Sequence, residues 1–157
     1  MAKSRVIGNP VGLGMRLSQL GPKVVKHVVD VMRDESEKIQ ELARDNAPRD
    51  DGDLENAIKV DEDRGGVNRR VQLLVYVDPN HIDSDGREVG RYMMKMHEGL
   101  APYGSGAYQL GPESIIKAAA GYDVGGKFFE RAYLEREPHI AARVQRMVEN
   151  AIRNGKL

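Results

Sequence analysis

Ala43-Arg44-Asp45-Asn46-Ala47-Pro48-Arg49-Asp50-Asp51-Gly52-Asp53-Leu54-Glu55-Asn56-Ala57-Ile58 is the stretch where one structural period gives way to another. On its N-terminal side Val25, Val28, Met32, Ile39 and Ala43 recur at gaps of three, four and seven, which draws one apolar stripe along a helix. The opposite face carries Lys26, Asp30, Arg33, Asp34, Glu37, Lys38, Glu41 and Arg44. Pro22 suits a first turn, where its missing N–H costs nothing. A helix from Pro22 to Ala47 would be about 39 Å long at the usual rise per residue. It should stop at Ala47-Pro48, because the residue before a proline is pushed out of the α region. Arg49–Asp53 then reads as a turn, with Asp53 placed to cap a short helical turn through Leu54-Glu55-Asn56. Past it the period becomes two. Ala57–Asp61 alternates, Arg70–Val77 is rich in β-branched residues, and Gly65-Gly66 between them predicts a β-hairpin.

Working outward, residues 1–16 are rich in Gly and Pro and read either as an extended arm anchored by Val6, Ile7, Val11 and Leu13 or as a disordered leader. Beyond the hairpin, Asp78–Glu88 is a polar loop, Val89–His97 a helix ended by Gly99, and Ala101–Gly111 a loop of Gly, Tyr and Ser. Pro112–Ala120 is a short helix, broken by Gly121–Gly125. Gly126–Glu137 is helical, Pro138 marks a new start, and Ile140, Val144, Met147, Val148, Ala151 and Ile152 draw a stripe on a last helix. There is no internal repeat and no linker long enough to divide domains. The expected class is α+β: an arm over residues 1–16 and a single domain over 17–157, whose long N-terminal helix and C-terminal helices pack on a small antiparallel sheet.

A chain of 157 residues with 40% apolar content can bury one core, but aromatics are only 5% and Trp is absent, so Val, Leu, Ile, Met and Ala must fill it. Lys+Arg and Asp+Glu balance at 24 each, which argues against a protein held on nucleic acid by overall charge and leaves no net repulsion between copies. With no cysteine, disulfides, thiolate zinc sites and a Cys nucleophile are excluded. Neither a membrane-length apolar run nor a signal-peptide core is present, so the expectation is a soluble, unexported protein.

Several stretches invite chemistry. His81-Ile82-Asp83-Ser84-Asp85-Gly86 spaces oxygen ligands two apart before a glycine, but the first and twelfth positions of a calcium loop would be His81 and Tyr92; a solvated turn is expected. His97-Glu98 could serve as acid and base or as metal ligands, yet His27, His81 and His139 lie in separate segments without metal-ligand spacing. The expectation is structural: His97 at a helix C-terminus, Glu98 orienting the next loop. Asp50, Asp51, Asp53 and Glu55 read as a charged turn rather than a cation site, and Arg143, Arg146, Arg153 and Lys156 as a solvated helix face. No nucleophile elbow or phosphate-binding loop occurs. No catalytic, cofactor-binding or metal residue is therefore assigned.

The ordered segments resemble a known family. Ala43–Pro48 followed by Asp50–Ile58 is similar to the "ARxxAPxDTGxLRxSI" signature of the gene-ten-like tail-completion (neck, or minor tail) proteins of long-tailed phages, with Asp51 where that pattern has Thr. Tyr92-Met93-Met94-Lys95-Met96-His97-Glu98-Gly99 matches the family's next marker, and Gly126-Lys127-Phe128-Phe129-Glu130-Arg131-Ala132-Tyr133-Leu134-Glu135 resembles its "PxxFLxRAxxE" block. Pro48, Gly52, Leu54, His97, Glu98, Gly99, Phe128, Phe129 and Arg131 are then motif residues. The resemblance implies a non-enzymatic virion protein of the neck or tail, without cofactor, that forms rings, commonly hexameric. It would sit against neighbouring neck, head-closure and tail-tube or tail-terminator proteins, with DNA only passing through the lumen. Val6, Ile7, Val11, Leu13, Tyr103 and Tyr108 would be contacts between copies. Two readings from other classes are a small nucleic-acid or regulatory binding module and a His97/Glu98-dependent hydrolase. Phe128, Phe129 and Tyr133 are expected to seat the C-terminal block against the sheet or a neighbour. A fully buried Phe129 would cost roughly 3–5 kcal/mol on truncation to Ala.

Overall fold

The computed structural model describes residues 22–63, 71–100, 106–107 and 109–153. The expected arm with Val6, Ile7, Val11 and Leu13, the Gly65-Gly66 turn, Tyr103, Tyr108 and Lys156 lie outside them. In chain order the elements are α1 (Pro22–Asn46), α2 (Asp53–Ala57), β1 (Ile58–Asp63), β2 (Gln72–Val77), a 3-10 turn (Val89–Arg91), α3 (Met93–His97), α4 (Pro112–Ala119) and α5 (Phe128–Arg153). The class is α+β, as expected. β1 and β2 form a two-stranded antiparallel sheet in which Ile58 faces Val77 and Val60 faces Val75. No described helix is long and apolar enough to cross a membrane.

α1 ends where the proline requires, and backbone donors reach two of its last carbonyls. The Ala47 N–H donates to Ala43 O at 2.9 Å, and the Gly125 N–H to Asn46 O at 3.0 Å. From the same helix, Gln40 Nε2 and Arg44 Nη2 both donate to Ile58 O, at 2.7 and 2.8 Å, so α1 grips the point where α2 becomes β1. Gly52 precedes α2 with φ of 89°, a left-handed turn that a side chain resists. The expected Asp53 cap is not made. Asp53 is already the first residue of α2, and its carboxylate accepts the Ser84 N–H at 2.8 Å instead, tying the turn to the loop after the hairpin.

One core receives all three sequence blocks. Ala43, Ala47, Leu54, Ala57 and Ile58 from the first block meet Met96 from the second and Phe128 and Ala132 from the third, with Ile39, Val77 and Val89. The second and third blocks touch through bare backbone. A Cβ on Gly126 would come within 2.8 Å of Gly99 N, and the Lys127 N–H donates to His97 O at 2.5 Å. Gly99, at φ 71°, turns the chain after α3. Among the described aromatics, Phe128 is the fully buried residue, while Phe129 and Tyr133 are half-buried against the same core. Phe128 stacks edge-on against the His97 ring at 4.9 Å.

α5 runs antiparallel to α1 and is unbroken, which corrects the expected restart at Pro138. Proline removes the donor for Leu134 O, but Pro138 and Leu134 are both solvent-exposed, so water can serve that carbonyl while the buried side holds the helix. The stripe of α1 keeps Val28, Ile39 and Ala43 as expected and differs at two positions. Val24, Val28, Ile39 and Ala43 are buried, whereas Val25 and Met32 are half-buried. Each fully buried Val or Ile side chain contributes about 1.5–3 kcal/mol. Glu35 occupies the middle of that stripe at 0% exposure.

Glu35 is held by three cations. Arg136 donates through Nε at 2.9 Å and Nη2 at 2.5 Å, Lys38 approaches at 3.3 Å, and Arg143 bridges Glu35 to Asp34. Arg143 is thus an interhelical tie and not part of a solvated face. This ionic layer separates the main core from an end of the helix pair where Val24, Val28, Val144 and Val148 are buried. Burial alone would raise the Glu35 pKa, but the hydrogen bonds from Arg143, Arg136 and Lys38 outweigh it and hold the carboxyl at about 2. The bonds from Lys38 and Arg143 bring Asp34 to about 2 as well.

Two predictions follow from this core. Phe128→Ala should cost roughly 3–5 kcal/mol in urea denaturation and Phe129→Ala distinctly less; equal costs would contradict the placement. A depressed carboxyl pKa contributes stability that is complete above the unfolded value of 4.5 and is lost as pH falls towards about 2. The stability difference between the parent and Glu35→Gln should therefore shrink over that window. A difference independent of pH would show that Glu35 is not held as an anion.

Candidate assembly surface

α4 is built inside out. Its sequence, Pro112-Glu113-Ser114-Ile115-Ile116-Lys117-Ala118-Ala119, turns Ser114 and Lys117 into the protein and leaves Ile115 and Ile116 at 55% and 61% exposure. The cause is the polar seat beneath it. Ser114 Oγ accepts the Arg49 N–H and donates to Arg49 O, both at 2.8 Å. Lys117 Nζ donates to Arg44 O and Ala47 O, each at 2.8 Å, and to the Glu55 carboxylate. An ammonium there neutralises the carbonyl end of α1, where the helix dipole is negative. Glu55 also receives Arg49, whose Nε lies 3.0 Å from both oxygens and whose Nη2 lies 2.5 Å from Oε2. Removing either partner of such a buried pair strands the other charge.

With its polar side spent inward, α4 offers the solvent an apolar face. Leu110 before it and Tyr122 after it are exposed as well. Two more exposed apolar side chains lie on the hairpin. α1 covers the inner face, where Leu73, Val75 and Val77 lie, and the outer face presents Leu74 and Tyr76 two residues apart on β2. Across the strand pair Asp61 faces Leu74 and Lys59 faces Tyr76.

The sequence-assigned residues are placed as follows. Pro48 is buried, Leu54 shares the core with Phe128, and Gly52 and Gly99 each make a left-handed turn. His97 packs on Phe128 and Phe129, with Nδ1 buried and without a hydrogen-bond partner among the described residues. Burial pushes its pKa down, against the attraction of Glu98. Glu98 pairs with Lys127 at 2.7 Å on the surface and so links the ends of α3 and α5. Arg131 pairs with Asp123 at 3.0 Å, while its Nε and Nη2 are buried without hydrogen-bond partners among the described residues. The Asp83 loop is a turn closed on itself: Asp83 Oδ1 accepts from the Asp85 and Arg87 backbone N–H groups at 3.0 and 2.7 Å. The acidic run is dispersed, with Glu55 turned inward and Asp51 and Asp53 bound to Ser84. Among the described residues there is no group of three or more His, Cys, Asp or Glu able to hold a metal ion.

Residues that sequence reasoning missed are the ones facing the wrong way for their chemistry. Glu35 lies seven after Val28 and four before Ile39, so the spacing contained its address. Ser114 and Lys117 are three apart on one face of α4, which is the signal for a polar seat.

Comparison with known families supplies the remaining observation. Residues 13–78 match the family model described as "Bacteriophage HK97-gp10, putative tail-component". This is a phage tail-component family. The matched stretch spans α1, α2 and the hairpin and contains the first of the three blocks, while the other two lie beyond it. A tail component is a virion protein that works in contact with other virion proteins. No curated protein and no solved structure matches the chain.

Lys117→Met should remove the seat of α4 and leave the Glu55 carboxylate to Arg49 alone. The expected cost is about 3–5 kcal/mol, with amide exchange in α4 accelerating before that of α1. Equal exchange in parent and variant would contradict the anchoring role.

Proposed function

We propose that this chain is a structural subunit of the phage neck or tail that completes the tail and joins it to the head by assembling into a ring. The observation that carries the reading is the tail-component match over residues 13–78. The surface supports it: among the described residues, Ile115 and Ile116 of α4 and Leu74 and Tyr76 of the hairpin are exposed apolar side chains that a partner would cover. Zero formal net charge removes the repulsion that would keep copies apart. His97 is used in packing against Phe128 and Phe129, and Glu98 pairs with Lys127. The protein therefore acts by assembly rather than by catalysis. A hexamer is the ring favoured by the family resemblance, with neck, head-closure and tail-tube or tail-terminator proteins above and below, and DNA passing through the lumen.

Multi-angle light scattering with negative-stain imaging tests this. Rings, or a mass near six times the 17.5 kDa chain, are expected. A chain that stays monomeric alone and also in the presence of the cognate tail-tube protein would overturn the reading.

A further inference from the structure

We propose that His97 is a proton-operated latch between the second and third blocks: a proton taken up by its ring loosens the join between α3 and the start of α5. The proposal stands on the geometry of the folded chain and does not depend on the ring reading.

His97 is the last residue of α3, and its backbone and its ring hold the join in different ways. Its carbonyl accepts the Lys127 N–H at 2.5 Å, where Gly126 crosses Gly99. Its ring stands edge-on to Phe128 at 4.9 Å and tilted against Phe129 at 5.8 Å. Phe128 is fully buried, and Met96, next to His97 in sequence, belongs to the same core. The imidazole thus serves as an aromatic packing piece, a role that suits its neutral form. Nδ1 is buried without a hydrogen-bond partner among the described residues. In a neutral ring that nitrogen can be a bare lone pair, whereas in the cation both nitrogens carry a proton and Nδ1 needs an acceptor. A buried donor without one, on a charged ring, is costly.

Neighbouring charges do not rescue the cation. Burial is the largest influence and favours loss of the proton; Glu98 and Glu130 oppose that loss, while Lys127 and Arg131 favour it. Glu98, the stronger of the two acids, is already paired with Lys127 at 2.7 Å. His97 therefore titrates below the ordinary histidine value of 6.5 while the join is closed. Opening the join to water lifts the burial and returns the ring to that ordinary value, so the open form binds the proton more tightly. Stability at the join is complete above 6.5 and is lost as pH falls towards the lower value of the closed form. In that window the opening equilibrium should rise by up to about tenfold per pH unit.

Two mass-spectrometric readings on the full chain test this, taken from about pH 8 to about pH 5, where histidines change charge. Exchange of the imidazole Cε1 hydrogen gives the titration midpoint of His97. Amide exchange, expressed as protection at each pH, follows the Lys127 N–H and the start of α5. The expected midpoint lies below 6.5, with protection at the join falling as pH drops through the window while that of mid-α1 holds. In His97→Gln, whose side chain does not titrate, the fall should vanish, and His97→Phe checks the same point with a ring kept in place. A midpoint at or above 6.5 would overturn the proposal, as would protection in the parent that does not change with pH. A fall of equal size in the variants would assign it to another group and overturn the proposal as well.

Discussion

A buried ammonium decides how this protein presents itself. Lys117 Nζ sits between the Glu55 carboxylate and the last carbonyls of α1, and it can reach them only if α4 lies with its polar side down. The main chain of Arg49 bonded to Ser114 fixes the other end of the same face. Everything apolar on α4 is then left to the outside. Buried ion pairs often contribute little net stability compared with an apolar substitute, but they are demanding about geometry. Here the geometry is the product: a short helix held in one orientation, with Ile115 and Ile116 displayed.

The same reasoning applies to the ionic layer at Glu35. A charged group in the middle of an apolar stripe fits only where Arg136 and Arg143 stand opposite, so it fixes the register of α5 on α1. Register at that pair carries over to the other end of α5, where Phe128 enters the core and Gly126 crosses Gly99. The three sequence blocks are thus joined by one chain of constraints, from the ends of two antiparallel helices to a backbone crossing that only glycine permits. Residues 13–78, which match the tail-component family, supply the helix and the hairpin. The two later blocks complete the core against them.

How much of this was legible in the sequence follows from where the information lies. The long helix, the hairpin and the breaks at Pro48 and Gly99 rest on local rules, and they appear as read. α5 was divided at Pro138 because a local rule says proline ends a helix; what overrides it is the exposure of Leu134 and Pro138 together with long-range packing on α1. Asp53 was given a cap because its position suited one, but Ser84 claims its carboxylate from a distant loop. Phe129 and Phe128 are neighbours in sequence, and only the direction of the helix in space decides which one is buried. Glu35, Ser114 and Lys117 were hidden by a rule of composition, that charged and polar residues face water. Their partners lie 62 residues away or more for Lys117 and Glu55, and over a hundred for Glu35 and Arg136, beyond any window of local pattern.

The central claim is that this fold displays apolar surface in order to assemble. Hydroxyl-radical footprinting of the dissociated and assembled protein tests it most directly, by reading side-chain oxidation at Leu74, Tyr76, Ile115 and Ile116. The account predicts that all four are oxidised in the dissociated chain and protected on assembly. Unchanged oxidation at the four positions in the assembled particle would contradict it.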